Sequence, residues 1–225
     1  MVAAVTRAGP ITAEQAFGID ANAAETRRAA VNEAVYNHQA SIPWRGVIMD
    51  KCAQDLVAYQ SIIAILKPDI IIETGTWFGG SALFFADMCE LNGHGQVLSI
   101  DVGPQQPLPD HDRLTFLFGD SKDPATLARA NDWAGGKTGM VILDSDHSKA
   151  HVLAELDAYA DFVGLGHYLI VEDSNVNGHP VRADFGPGPW EAVMEWLPRA
   201  EDFAVDSGIE PFVTFAPQGY LRRFQ

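Results

Sequence analysis

Five short runs of apolar and β-branched residues recur along the chain, and together with the amphipathic stretches between them they restrict the fold more than any other feature. The runs are Ile70-Ile71-Ile72 and residues 97–100, 114–118, 140–143 and 168–171. Each is short and continuously apolar, the pattern of a strand covered on both faces in a parallel sheet. Residues 81–91, 124–133 and 150–163 carry amphipathic patterns between them. Ahead of the first run, Leu56, Tyr59, Ile62, Ile63 and Leu66 keep the helical period until Lys67-Pro68-Asp69 stops it. Strand and helix therefore alternate. The expected fold is α/β, a doubly wound, mostly parallel sheet with right-handed crossovers that binds ligands beyond the carboxyl ends of its strands. Residues 190–197 read as a further helix, and 212–216 and 220–224 flank Pro217-Gln218-Gly219 as a C-terminal antiparallel hairpin.

A length of 225 residues suits one such domain, here residues 46–225. Residues 1–45 are set apart: positions 12–40 are rich in Ala and charge, with helical spacing at Ala16, Ile19 and Ala23 and again at Ala30 and Ala34, before Pro43. They read as a helical extension or lid, which would dock on a second subunit of a homodimer. The formal net charge of −15 would repel nucleic acid phosphates and anionic lipid headgroups and leaves neutral or cationic partners. Cys52 and Cys89 form no disulfide framework or zinc-finger spacing. No leader-like h-region and no membrane-spanning run is apparent, so a cytoplasmic protein is expected.

Carboxylates collect at the strand ends. Glu73 opens Glu73-Thr-Gly75-Thr-Trp-Phe-Gly79-Gly80-Ser81, whose glycines permit a tight turn and close backbone approach to a ligand. Asp101 ends the next run, where an acidic side chain can accept from ribose hydroxyls. Asp120 and Ser121 follow the third, facing an adenine amino group or serving only the turn. The glycine spacing lacks the tight GxG that brings backbone N–H groups against a pyrophosphate, and Glu73 would repel such an anion. A sulfonium cofactor, carrying a cation, suits this pocket better.

The fourth run ends in Leu143-Asp144-Ser145-Asp146-His147 and the fifth in Glu172-Asp173. Like charges 4 Å apart repel by roughly 4 kcal/mol at an effective dielectric of 20, so such crowding calls for a cation or protons. Oxygen ligands without cysteine point to a hard ion, magnesium (Mg2+) foremost. Asp144, directly at the strand end, is the first choice of ligand and Asp146 its competitor; either would otherwise be a helix cap. His147 has the ring to accept a proton near neutral pH.

At these residues the chain resembles the rhamnosyl O-methyltransferase and cephalosporin hydroxylase family of bacterial sugar and natural-product enzymes. The resemblance runs from about Gly46 to Arg222 and is carried by Glu73-Thr-Gly75 with Gly79-Gly80-Ser81, by Leu143-Asp-Ser-Asp-His147-Ser, and by Val171-Glu-Asp-Ser-Asn-Val-Asn-Gly-His-Pro180. Phe185-Gly-Pro-Gly-Pro189 and Pro217-Gln-Gly-Tyr-Leu221 extend it. It implies a Rossmann-like class I methyltransferase with S-adenosylmethionine around Glu73, Gly75, Ser81, Asp101 and Asp120. It further implies magnesium on a strand-four Asp with Glu172 and Asp173, and a histidine base. The stretch from Gly46 through Lys51 and Asp55 to Gln60 is family-like too, lining the cofactor pocket or its lid. The acceptor implied is a sugar hydroxyl, on a rhamnoside or a mycobacterial mannoside, presented as a small molecule or oligosaccharide. The rivals are a hydroxylase or nicotinamide oxidoreductase, and a non-catalytic cofactor-binding partner. Trp190, Trp44 and Tyr220 are candidate sugar-stacking rings, and Arg182 and His179 candidate acceptor contacts.

Overall fold

The computed structural model describes residues 21–225. Its main sheet has seven strands: β3 (Ile70–Thr74), β4 (Gln96–Asp101), β5 (Leu114–Phe118), β6 (Gly139–Leu143), β7 (Tyr168–Val171), β8 (Phe203–Val205) and β9 (Tyr220–Arg223). They lie in the order β5-β4-β3-β6-β7-β9-β8. The first five are parallel, and β9 runs antiparallel to both β7 and β8. All five apolar runs are strands, as expected. The order reverses between β3 and β6, which opens a crevice at their carboxyl ends.

Alternate side chains of each buried strand serve opposite layers. Ile70 and Ile72 pack with Leu98, Val141 and Leu169 against helices α4 (Pro124–Ala134), α5 (Lys149–Tyr159) and α6 (Pro189–Trp196). Ile71 packs with Val97, Met140 and Ile170 against α2 (Ala53–Leu66) and α3 (Gly80–Leu91). Helix ends follow local chemistry. Asp123 caps α4 by accepting from Ala125 N at 3.0 Å with Pro124 in the first turn, and α2 ends on Lys67 at φ 49°, followed by Pro68.

Of the expected N-terminal helical extension, residues 21–38 form α1 (Ala21–His38); the part expected at residues 12–20, with Ala16 and Ile19, lies outside the described residues. Arg28 pairs with Glu210, Asn32 Oδ1 accepts from Thr214 N at 2.8 Å, and Tyr36 meets Phe215 edge-on at 5.3 Å. Strands β1 (Ile42–Trp44) and β2 (Val47–Met49) form a separate hairpin.

The expected C-terminal antiparallel pair is present as β8 with β9, but its first strand is not the expected 212–216. Residues 220–223 are a strand, but their antiparallel neighbours are β7 and β8, and 212–216 is an irregular segment. Side chains take its backbone groups instead of a strand: the buried Asp55 carboxylate accepts from Thr214 Oγ1 (2.6 Å), Phe215 N (2.9 Å) and Tyr220 Oη (2.7 Å), while Asn32 takes Thr214 N.

Asp55→Ala would leave those three buried donors unanswered. We expect a loss of about 3 kcal/mol of unfolding free energy in urea titration, against less than about 0.5 kcal/mol for Ile65→Ala on the solvent face of the same helix.

Candidate active site

A cleft of about 730 Å³ runs along the carboxyl ends of the sheet at the reversal point. Its floor depends on Gly75. This residue sits at φ 89°, and a Cβ there would lie 1.9 Å from the carbonyl oxygen of Asp144. Only glycine lets the β3–α3 loop close on the end of β6. Gly80, at the start of α3, likewise clears the carbonyl of Ile48, which an added Cβ would approach to 2.3 Å.

The three carboxylates expected at the cofactor end have different surroundings. Asp101 lines the cleft and accepts from Thr76 N (2.9 Å), Trp77 N (3.0 Å) and Gly103 N (2.8 Å). A carboxylate has about four acceptor positions, so one remains for a ligand hydroxyl. Asp120 stands half-exposed on the wall, 3.7 Å from Lys122 Nζ, and Ser121 beside it shares a hydrogen bond with His151 Nε2 at 3.1 Å. Glu73 is fully buried behind the wall and accepts from Ser81 Oγ (2.5 Å) and Ser99 Oγ (2.7 Å). It therefore braces the first turn of α3 against β4. Gly75, Gly80 and Ser81 line the cleft; Gly79, at φ 79°, turns toward Pro109 and does not.

At the other end, Asp144, His147 and Asp173 present ligand atoms within 4.8 Å of one another. His147 Nδ1 lies 3.3 Å from Asp173 Oδ2; its Nε2 is 3.4 Å from Asp144 Oδ1, outside hydrogen-bonding geometry, and is a buried nitrogen with no hydrogen-bond partner. Asp173 holds φ 50°, a left-handed conformation that a non-glycine residue keeps only where its surroundings enforce it. Glu172 is buried directly behind, receiving Tyr59 Oη and, at 3.0 Å, Lys51 Nζ. The same Lys51 ammonium donates to Asp144. Asp146 lies outside this cluster, exposed and accepting from Ser148 N at 2.8 Å.

Lys51, which sequence reasoning placed only at a pocket or lid, thus answers part of the charge that the crowded strand ends create. It is 2% exposed and faces Asp144 and Glu172. Burial raises Asp144, but Lys51 and His147 outweigh it and hold the carboxyl below the usual range. Burial dominates at Asp173 and pushes it up to about 6. Burial lowers His147, yet Asp173 and Asp144 prevail and lift it to about 9. His151 was missed as well. It lines the cleft between Ser121 and Ser145, and its spacing of four from Glu155 on α5 was the available signal.

The family model for Rhamnosyl O-methyltransferase/CmcI matches residues 36–224. A rhamnosyl O-methyltransferase of Mycobacterium tuberculosis is 38% identical over 189 residues, covering 80% of this chain and 77% of its own length. One from Mycobacterium leprae is 37% identical over 80% of this chain and 82% of its own. Among solved structures, CmcI with magnesium and S-adenosylmethionine aligns with a TM-score of 0.64 at 23% identity, over 85% of this chain and 84% of that one. CalS11, a TDP-rhamnose 3'-O-methyltransferase of calicheamicin biosynthesis, gives 0.53 at 16% identity, over 93% and 98%. These structures share the fold.

Burial holds the Glu73 carboxyl up at about 7, with Lys51, Ser81 and Ser99 opposing. The fold thus favours its protonated form: stability present below about pH 4.5 is lost as pH rises through about 7. Urea titrations at pH 5 and 7.5 should show this loss, and Glu73→Gln should reduce it by about 2 kcal/mol, leaving the similar share of Asp55, raised to about 7 chiefly by burial.

Proposed function

The chain belongs to the Rhamnosyl O-methyltransferase/CmcI family of S-adenosylmethionine-dependent O-methyltransferases, and within it we propose that this protein methylates a sugar hydroxyl, with Mg2+ at Asp144, Glu172 and Asp173 and His147 as proton acceptor. One observation carries the reading: the Asp144–His147–Asp173 cluster stands at one end of a cleft whose other end offers Asp101 and Asp120. The donor set fits a hard divalent ion, being three carboxylates on two adjacent strand ends, and the buried His147 Nε2 beside it lacks a hydrogen-bond partner and stays outside the set. Asp146, exposed and outside the cluster where it accepts from Ser148 N, ranks behind Asp144 as a ligand. When bound, S-adenosylmethionine supplies the methyl carbon and magnesium polarises the acceptor hydroxyl.

The chain's own groups do the rest. Asp101 keeps one acceptor position for a ribose hydroxyl, and Asp120 with Ser121 borders the base; Glu73, Gly79 and Gly80 shape the loop and helix start that face the cofactor. Asp173 orients the His147 ring through Nδ1, leaving Nε2 to take the acceptor's proton. The two carboxylates that lift His147 are proposed ligands. Once a cation answers their charge, burial remains, and burial lowers the imidazole toward the range of a base at neutral pH. Lys51 positions Asp144 and Glu172 and steadies the site between turnovers.

The mycobacterial relatives, rhamnosyl O-methyltransferases, make a rhamnoside the first acceptor to try; a mannoside is the second. Residues 1–45 form the extension to a catalytic unit of 46–225, and the reading extends to a cytoplasmic homodimer. Buried free Cys52 and Cys89, together with Val31 and Phe212 left exposed on and beside α1, support it. Among the described residues no helix is long and apolar enough to cross a membrane.

Incubation with labelled S-adenosylmethionine, Mg2+ and a panel of rhamnosides and mannosides should place the label on one sugar oxygen, located by NMR. His147→Ala should cut turnover roughly 100- to 10,000-fold while S-adenosylmethionine binding is retained. Excess chelator and Asp173→Ala should each abolish transfer; full activity under chelation would remove the metal from the mechanism.

A further inference from the structure

A second cavity, of about 420 Å³, is lined by Asp146, His147, Ser148, Phe185, Gly186 and Pro187. It shares Asp146 and His147 with the main cleft and contains none of the residues of its nucleoside end. Its walls are of two kinds. One is apolar, made by Phe185, Gly186 and Pro187, and the other is polar, made by Asp146, His147 and Ser148.

Phe185 is 38% exposed on a well-anchored loop. Gly186 N donates to Asn177 Oδ1 (3.1 Å), Lys149 N to the Pro187 carbonyl (3.1 Å), and Gly188 N to Glu191 Oε2 (2.7 Å). The Arg182 guanidinium lies 5.7 Å from the ring centroid. The other aromatic candidates are engaged: Trp44 Nε1 donates to Asp87, Tyr220 is buried, and Trp190 stacks on His179 at 4.3 Å. Trp77 lines the main cleft beside Asp101, at the nucleoside end.

A pyranose is two-faced in the same way, with a C–H face and a hydroxyl edge, and an acceptor hydroxyl must reach His147. We propose that this cavity is the acceptor subsite, in which the Phe185 ring packs against the C–H face of the terminal sugar and Asp146 accepts from a hydroxyl beside the one that is methylated. The proposal rests on the sugar-methyltransferase reading and adds two specificity residues to it. It also gives Asp146 a function apart from the ion.

The test measures binding separately from catalysis. Methyl α-L-rhamnopyranoside and methyl α-D-mannopyranoside are titrated by saturation-transfer NMR against protein loaded with S-adenosylhomocysteine and Mg2+. For whichever binds the wild type more tightly, Phe185→Ala and Asp146→Asn should each weaken binding roughly tenfold and Phe185→Trp should largely keep it, all three retaining S-adenosylhomocysteine affinity. Unchanged glycoside affinity in Phe185→Ala would overturn the proposal. So would no binding of either glycoside to the wild type, or a parallel loss of S-adenosylhomocysteine that makes Phe185 a support of the loop. Labelled methyl transfer is scored apart: a glycoside that binds through Phe185 but is never methylated sinks the methyltransferase reading and leaves the subsite standing.

Discussion

The protein depends on how it keeps several buried carboxylates from unfolding it. An isolated ion taken out of water costs several kcal/mol, and Asp144, Glu172, Asp173 and Asp55 lie together near the sheet's carboxyl edge. Lys51, arriving from the hairpin β1–β2, serves Asp144 at the end of β6 and Glu172 at the end of β7. Tyr59 on α2 closes Glu172 from behind. Asp55, one turn earlier on α2, is met by three neutral donors that lower its carboxyl, but burial, chiefly, and the charge of Glu172 outweigh them and raise it to about 7. Hairpin, helix, sheet and the C-terminal segment are thus tied into one electrostatic unit beneath the cleft.

The same carboxylate group has three fates at the ends of neighbouring strands. Glu73 is buried and braces, Asp101 is held by backbone N–H groups with one acceptor position to spare, and Asp120 stands in the open. Strand position sets which of them a ligand can touch. A cofactor reading therefore assigns contact to Asp101 and Asp120, and leaves Glu73 to fix the loop on which contact depends.

The strands were legible because a parallel strand covered on both faces must be apolar throughout, and Ile70-Ile71-Ile72 says so within three residues. Residues 212–216 misled because apolar composition does not reveal whether a segment's backbone groups meet a strand or a side chain; here they meet Asp55 and Asn32, far away in the chain. In the sequence Asp144 ranks above Asp146 on its place at the strand end alone, because the turn that separates them is not legible there. Two carboxylates two residues apart in a turn differ only in which way the turn sends them, and Gly75 packing on the Asp144 carbonyl is a tertiary fact. Lys51 was the least legible. A lysine is buried only where partners wait for it, and these stand 93 and 121 residues further on.

Gly75 carries one more implication. Its missing side chain is the space into which Asp144 delivers its carbonyl, so the β3–α3 loop and the turn that carries Asp144 touch with no atom between them. Neither surface can drift without the other. A lineage built on this chain is free to redraw the Phe185 loop for new acceptors, while the two halves of the cleft floor must be inherited as a single piece.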